Sequence, residues 1–215
     1  MKSMTHASAA VLPTWFGNVA RSESIPESSG SADNAVPVDE DAKLMCAVAT
    51  GDEVALAQLI RKWQGPLINF FYRSIGSVEQ AEDLSQLVFI RLYRAAHSYQ
   101  PVARFSTYLF HIARRLLINE FRRRQRKPLE MVDPAELHAV DTDSADQHRL
   151  YELEEAFQRA VTKLTEDQRT AILLLKQQEL SYDEIAVIMD QSVAAVKTHI
   201  FRGRQKLKEI LRKML

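Results

Sequence analysis

Eight cationic side chains lie between positions 104 and 127: Arg104, Arg114, Arg115, Arg122, Arg123, Arg124, Arg126 and Lys127, opposed only by Glu120. A second cationic run extends from Lys197 to Lys213, with Glu209 as its only acid. Guanidinium and ammonium groups at this density neutralise phosphates rather than move protons. A single run is more often a solvated helix face, but two runs in separate helical units point to a polyanion. The formal net charge of +0 conceals them, because Glu130, Asp133, Glu136, Asp141, Asp143, Asp146, Glu152, Glu154 and Glu155 lie between. Enzymatic chemistry finds no comparable constellation: the histidines are scattered, no glycine loop could cradle a phosphate, and the acids cluster in a presumed linker. No cofactor or metal is expected, since His199 has no second histidine or carboxylate placed to share an ion. The single cysteine, Cys46, excludes an internal disulfide and suits a reducing cytosol.

These side chains need helices to hold them. Residues 1–40, rich in Ser, Ala, Pro and acids, carry no sustained period and read as a disordered extension, with Trp15 and Phe16 either a short docking motif or part of a collapsed tail. From Asp41 apolar residues recur at spacings of three and four, with punctuation at Gly51 and Asp52. A new helix is expected after Gly65 and Pro66, through Leu67, Phe70 and Phe71, and Ser77 can cap the next. That helix puts Ala81, Leu84, Val88, Leu92 and Ala95 on one stripe, and turns Asp83, Gln86, Phe89 and Tyr93 to its other sides. Residues Phe105 to Arg124 read as one long helix. Pro128 and Pro134 open an acidic, flexible linker over 128–149.

In the last stretch Thr165 with Gln168, and Ser181 with Glu184, fit capping boxes, and Ser192 can cap a further helix at Val193. The middle helix is short, so it must cross the next steeply, as in a helix-turn-helix. Val196, Ile200 and Leu207 would face inward. Lys197, Thr198, His199, Phe201, Arg202 and Arg204 would surround the other faces, a set suited to the major groove of duplex DNA. The alternative is an ordinary helical hairpin with a basic solvent face. No strand-like alternation of useful length occurs, so the fold class is all-α: two small helical domains, 41–127 and 150–215, joined by the acidic linker. No stretch approaches the roughly 20 apolar residues of a membrane span.

Two segments carry a family resemblance. Ala81-Glu82-Asp83-Leu84-Ser85-Gln86-Leu87-Val88-Phe89, followed by Phe105-Ser106-Thr107-Tyr108-Leu109 and Ile112-Ala113-Arg114, resembles region two of bacterial sigma factors. Leu164-Thr165 through Leu207 resembles region four. The order, the missing domain between them and the small size are similar to the extracytoplasmic-function group, in which regions two and four form a helical bundle and a helix-turn-helix.

The resemblance implies partners and roles. Asp83, Gln86, Leu87, Phe89 and Tyr93 would dock on the β′ clamp coiled coil of core RNA polymerase, with the β flap a second contact, although Phe89 could equally be core. Tyr99, Arg104, Phe105, Ser106, Thr107, Tyr108, His111, Arg114, Arg115 and Asn119 would capture the non-template strand of the minus-ten element, aromatics stacking melted bases and cations following the backbone. Arg122, Arg123, Arg124 and Arg126 would meet phosphate. Ser192, Ala194, Ala195, Lys197, Thr198, His199, Phe201, Arg202 and Arg204 would read the minus-thirty-five element as duplex. An anti-sigma factor is the expected inhibitor and the bacterial cytoplasm the expected compartment.

Departures from the pattern carry implications too. His111 and Ile112 stand where housekeeping sigma factors have a tryptophan pair, which implies strict dependence on a good promoter. Arg115 and Asn119 replace a common asparagine and aspartate, and Ala194-Ala195 replaces a frequent glycine-threonine, so both promoter preferences are expected to differ from the usual. Two rivals remain at this level. One is a regulator that binds duplex DNA without polymerase; the other is an enzyme such as a nuclease, which the scattered histidines disfavour.

Overall fold

Asp39 ties together two helix starts that are far apart in the chain. Its Oδ1 accepts from the Ala42 N–H at 2.7 Å, capping α1 (Glu40–Ala49), and its Oδ2 accepts from the Phe105 N–H at 3.1 Å, where α4 (Phe105–Arg126) begins. The computed structural model describes residues 39–126, 155–177 and 180–214. The expected N-terminal extension (apart from Asp39 and Glu40), the linker and the start of the second domain lie outside the described residues.

Gly51 takes φ +92°, and Asp52 then caps α2 (Glu53–Ile75) by accepting from the N–H groups of Val54 and Ala55. Contrary to the expected break, α2 runs unbroken through Gly65 and Pro66. Proline removes one donor there, but Leu59, Leu67, Phe70 and Phe71 form one continuous buried stripe, and packing of that stripe outweighs the local preference. Gly65 is exposed, and a Cβ added to it would meet nothing within 4 Å beyond its chain neighbours. Gly65→Ala restricts the unfolded chain but sets a Cβ against the Pro66 ring in helical conformation, so urea unfolding is expected to shift by less than about 0.5 kcal/mol.

Gly76, at φ +77°, ends α2, and Ser77 caps α3 (Val78–Ala95) as expected. A single 3-10 turn, Ala96–Ser98, leads to the loop before α4. In the second group of helices, α5 occupies residues 155–162, followed by α6 (Glu166–Gln177), α7 (Tyr182–Met189) and α8 (Val193–Met214). No strand occurs among the described residues.

Aromatic rings fill the first group's core. Trp63 lies 6.1 Å from both Phe105 and Phe110, and Phe110 meets Phe70 edge-on at 5.5 Å. The buried carboxylate of Asp41 accepts from Lys62 and from the Trp63 indole, so its charge is partnered. In the second group Leu173, Leu174, Ile185, Ile188, Val196 and Ile200 are buried. Gly203 lets α8 cross close to α6: an added Cβ would stand 2.5 Å from Ile172 Cδ1.

The two groups also touch, α4 against α7 and α2 against α6. The last carbonyls of a helix have no partner within it. At the end of α2 Tyr72 O accepts from the Gly76 N–H at 2.8 Å and from Gln158 at 3.2 Å, while Ile75 O is claimed by Arg124 at 3.3 Å and Ser74 O by Arg169. The Arg73 guanidinium lies 5.2 Å from the Phe157 ring centroid.

Candidate nucleic-acid interface

The Ser181–Glu184 capping box forms in full, and α7 ends at Asp190, which adopts the left-handed conformation at φ 51°. Asp and Asn tolerate that region best among residues with a side chain. Ser192 Oγ then accepts from the Ala195 N–H at 3.2 Å and starts α8. This tight corner is the helix-turn-helix expected from the sequence.

Val196, Ile200, Gly203 and Leu207 pack inward at spacings of four, three and four. Ser192, Ala194, Lys197, Thr198, Phe201, Arg202 and Arg204 are exposed, and Ala195 is half-buried. The Thr198 hydroxyl donates to Ala194 O at 2.9 Å. Lys197 lies over the Tyr182 ring at 5.9 Å. His199 is half-buried, 3.9 Å from Asp167, and so turns partly away from the outer face. Phe201 is 63% exposed amid cations, a position that solvent alone would not favour but that a base edge or thymine methyl would cover.

On α4 the residues expected at the minus-ten strand divide into three sets. Arg115, Asn119 and Arg122 recur at spacings of four and three, all exposed, forming one polar stripe with Arg126 beyond it. Arg123 is exposed and hydrogen-bonded to Glu120 at 2.8 Å. Those bonds, with Arg123 first, hold the Glu120 carboxyl below its ordinary range. Arg124 is committed to Glu120 and to Ile75 O, a structural anchor that the charge pattern did not separate from its neighbours.

A second set sits in the preceding loop and first turn. Tyr99 and Tyr108 have ring centroids 5.1 Å apart; both are half-buried, as is Ser106, and Arg104 is exposed. Burial raises both phenol pKa values, most strongly that of Tyr99, which Asp39 raises further.

The third set is covered. Phe105 is wholly buried against Trp63 and Tyr99, and in this arrangement its ring is closed to a base. Thr107, His111 and Arg114 recur at spacings of four and three, and His111 and Arg114 face the second group of helices. Thr107 is 1% and His111 3% exposed, while Arg114 stands 3.5 Å from Asp167. Burial holds the His111 imidazole below its ordinary value, with Arg115 and Arg114 adding to the depression and Asp190 opposing it. A histidine kept neutral in the folded state contributes stability that is complete above its unfolded value of about 6.5 and is lost as pH falls through the lower folded value. Urea midpoints are accordingly expected to drop between about pH 7 and pH 5, and His111→Gln to flatten that part of the slope.

The outer face of α3 exposes Asp83, Gln86, Leu87 and Tyr93. Phe89, in contrast, is 8% exposed and belongs to the core. Ile90, at 45% exposure, joins Leu87 in an apolar strip that the sequence reading missed. Its position midway between Leu87 and Tyr93, three residues from each, is the signal that could have found it. Among the described residues no three His, Cys, Asp or Glu side chains group to hold a metal ion.

Comparison with known proteins places these surfaces in context. The family model for Sigma-70 region 2 matches residues 59–127, and that for Sigma-70, region 4 matches residues 154–207. The chain is 31% identical to the RNA polymerase sigma-H factor of Pseudomonas aeruginosa, over 82% of this chain and 96% of that one. It is 33% identical to the ECF RNA polymerase sigma factor SigW of Bacillus subtilis, over 77% of this chain and 93% of that one. Among solved structures, CnrH in complex with the cytosolic domain of CnrY superposes with a TM-score of 0.61 at 24% identity, covering 81% of this chain and 99% of CnrH. The sigma factor RpoE in complex with the anti-sigma factor NepR from Bartonella quintana gives the same TM-score and identity, over 73% and 96%.

Proposed function

Because the chain belongs to the extracytoplasmic-function group of the sigma-70 family, we propose that its surfaces divide the work of promoter-specific transcription initiation. The exposed strip of α3, with Asp83, Gln86, Leu87, Ile90 and Tyr93, docks on the β′ clamp coiled coil of core RNA polymerase, and the second domain meets the β flap. Tyr99, Arg104, Ser106 and Tyr108 with the Arg115–Asn119–Arg122 stripe hold the unpaired minus-ten strand, aromatic faces stacking and cations following phosphates. Thr107, His111 and Arg114 join them only when their cover is removed, whereas Phe105 stays in the first group's core beneath them. Lys197, Phe201, Arg202 and Arg204, on the outer face of α8, read the minus-thirty-five duplex, with Ser192, Ala194, Ala195, Thr198 and His199 at its margin.

Residues 41–127 and 150–215 act as the two domains, with 128–149 as their tether. The chain makes and breaks no bond, and the polymerase supplies the chemistry. An anti-sigma factor is its expected inhibitor, since RpoE is held by NepR in one of the similar structures. No described helix is long and apolar enough to cross a membrane.

One observation carries this reading: two sigma regions in order on a single chain, the second presenting a cationic and aromatic recognition helix. A regulator acting alone on duplex DNA would leave the region-two match without a role. The test is transcription in vitro with core polymerase on the promoter upstream of the chain's own gene. A discrete transcript that requires the added chain is expected; active core enzyme giving none from any upstream region would overturn the proposal.

A further inference from the structure

The helix α8 is longer than the reading of base edges requires. It runs from Val193 to Met214 over 22 residues. A rise of about 1.5 Å per residue makes it about 33 Å long, against a major groove roughly 12 Å wide. The core holds it past the reading turns: Leu207 is buried, and Ile210 and Leu211 are half-buried against the same apolar cluster. Its second half is therefore mounted too.

The outer edge of α8 stays on one side along this whole length. Ala194, Thr198, Phe201, Gln205, Lys208 and Arg212 recur at alternating spacings of four and three, and all six are exposed. The last four border one open groove. Lys208 lies about 15 Å and Arg212 about 21 Å along the axis from Thr198. Their charges are uncompensated. Glu209, the only acid between Lys197 and Lys213, is held by Lys213 at 2.8 Å, and neither Lys208 nor Arg212 makes an ion pair or hydrogen bond with another described residue. The Sigma-70, region 4 match stops at residue 207, so both cations stand outside the matched segment.

We propose that Lys208 and Arg212 grip phosphates of the duplex outside the minus-thirty-five element, so that the chain's contact with promoter DNA extends past the bases that α8 reads. The inference rests on the proposed function. With the first turns of α8 in the major groove, the same straight edge carries these two side chains over the groove wall, where the duplex presents its backbone. An acidic protein surface would meet the same charges, but the stripe is continuous with the face assigned to duplex DNA, and that continuity selects the phosphodiester backbone. Contacts of this kind add affinity without base preference, and they weaken steeply with salt.

The test uses holoenzyme reconstituted from core polymerase and the full chain, with a promoter fragment that this holoenzyme transcribes. Lys208→Gln with Arg212→Gln is expected to weaken binding about tenfold or more near physiological salt and to lower the slope of log K against log salt by roughly 2. The ranking of minus-thirty-five sequences should stay the same. The charge-preserving exchange Lys208→Arg with Arg212→Lys is expected to bind within about twofold of the unaltered chain, because a phosphate accepts from either cation. A second probe carries neutral methylphosphonate linkages at the phosphates flanking the element. On it the unaltered chain should lose as much as the Gln variant loses on the natural fragment, and the Gln variant should lose nothing further.

Equal binding of the Gln variant and the unaltered chain to the natural fragment would overturn the proposal, as would an equal loss in the charge-preserving exchange. A changed ranking of sequences would overturn it by making the pair base readers. A loss in the Gln variant that persists undiminished on the neutral probe would overturn it in favour of an acidic protein surface. Failure of the unaltered holoenzyme to transcribe any promoter would instead overturn the proposed function.

Discussion

The double substitution Lys197→Ala with Arg202→Ala is expected to weaken binding to a minus-thirty-five duplex roughly 10²-fold, at about 1–3 kcal/mol for each cation in contact with a base or phosphate. Transcription with core should fall in parallel. Both side chains are exposed on α8, and the helix is held by Val196, Ile200 and Leu207 on its far side, so unfolding should shift by less than about 1 kcal/mol. The salt dependence separates the roles. Loss of two phosphate contacts would lower the slope of log K against log salt by roughly 2, whereas a base contact would leave the slope and relax sequence preference. Unchanged affinity across the whole salt range would remove α8 from the interface.

Arg169→Met should cause the largest loss of stability, about 3 kcal/mol in denaturant unfolding, because it strips donors from several carbonyls at once. The guanidinium donates to Val161 O, Thr162 O and Leu164 O around the α5–α6 corner, and to Ser74 O at the end of α2. It also lies 5.8 Å from the Phe121 ring centroid. Burial depresses its pKa, and Glu166 only partly opposes that. Its charge is therefore held chiefly by carbonyl dipoles. Lysine cannot reproduce a planar fork, so Arg169→Lys should recover only a minor part of the loss. Equal stability of the Met variant and the unaltered protein would show that water satisfies these carbonyls.

Helix starts and the all-helical class were legible because they depend on neighbours in sequence. Ser77, Ser181 with Glu184, and Ser192 each cap the helix that local chemistry assigns to them. Continuity through Gly65 and Pro66 was not legible, since the force that overrides them is burial of Leu67, Phe70 and Phe71 against distant helices. The recognition helix was read nearly whole from its inward residues. On α4 the sequence marked one long helix with a basic second half, but Thr107 and His111, expected at the minus-ten strand, are buried. Their cover comes from α7, and such long-range contacts leave no trace in a local period. Phe89 and Ile90 show the same limit in reverse: an apolar type alone does not say whether a side chain faces the core or a partner.

The bare α-carbon of Gly203 has an evolutionary consequence. It fixes how far α8 is rolled about its own axis against Ile172, and that angle alone decides which of its positions point outward. The letters at those positions can then change without disturbing the mounting, so under the proposed function promoter preference would be free to drift between descendants while α8 stays seated in the same orientation.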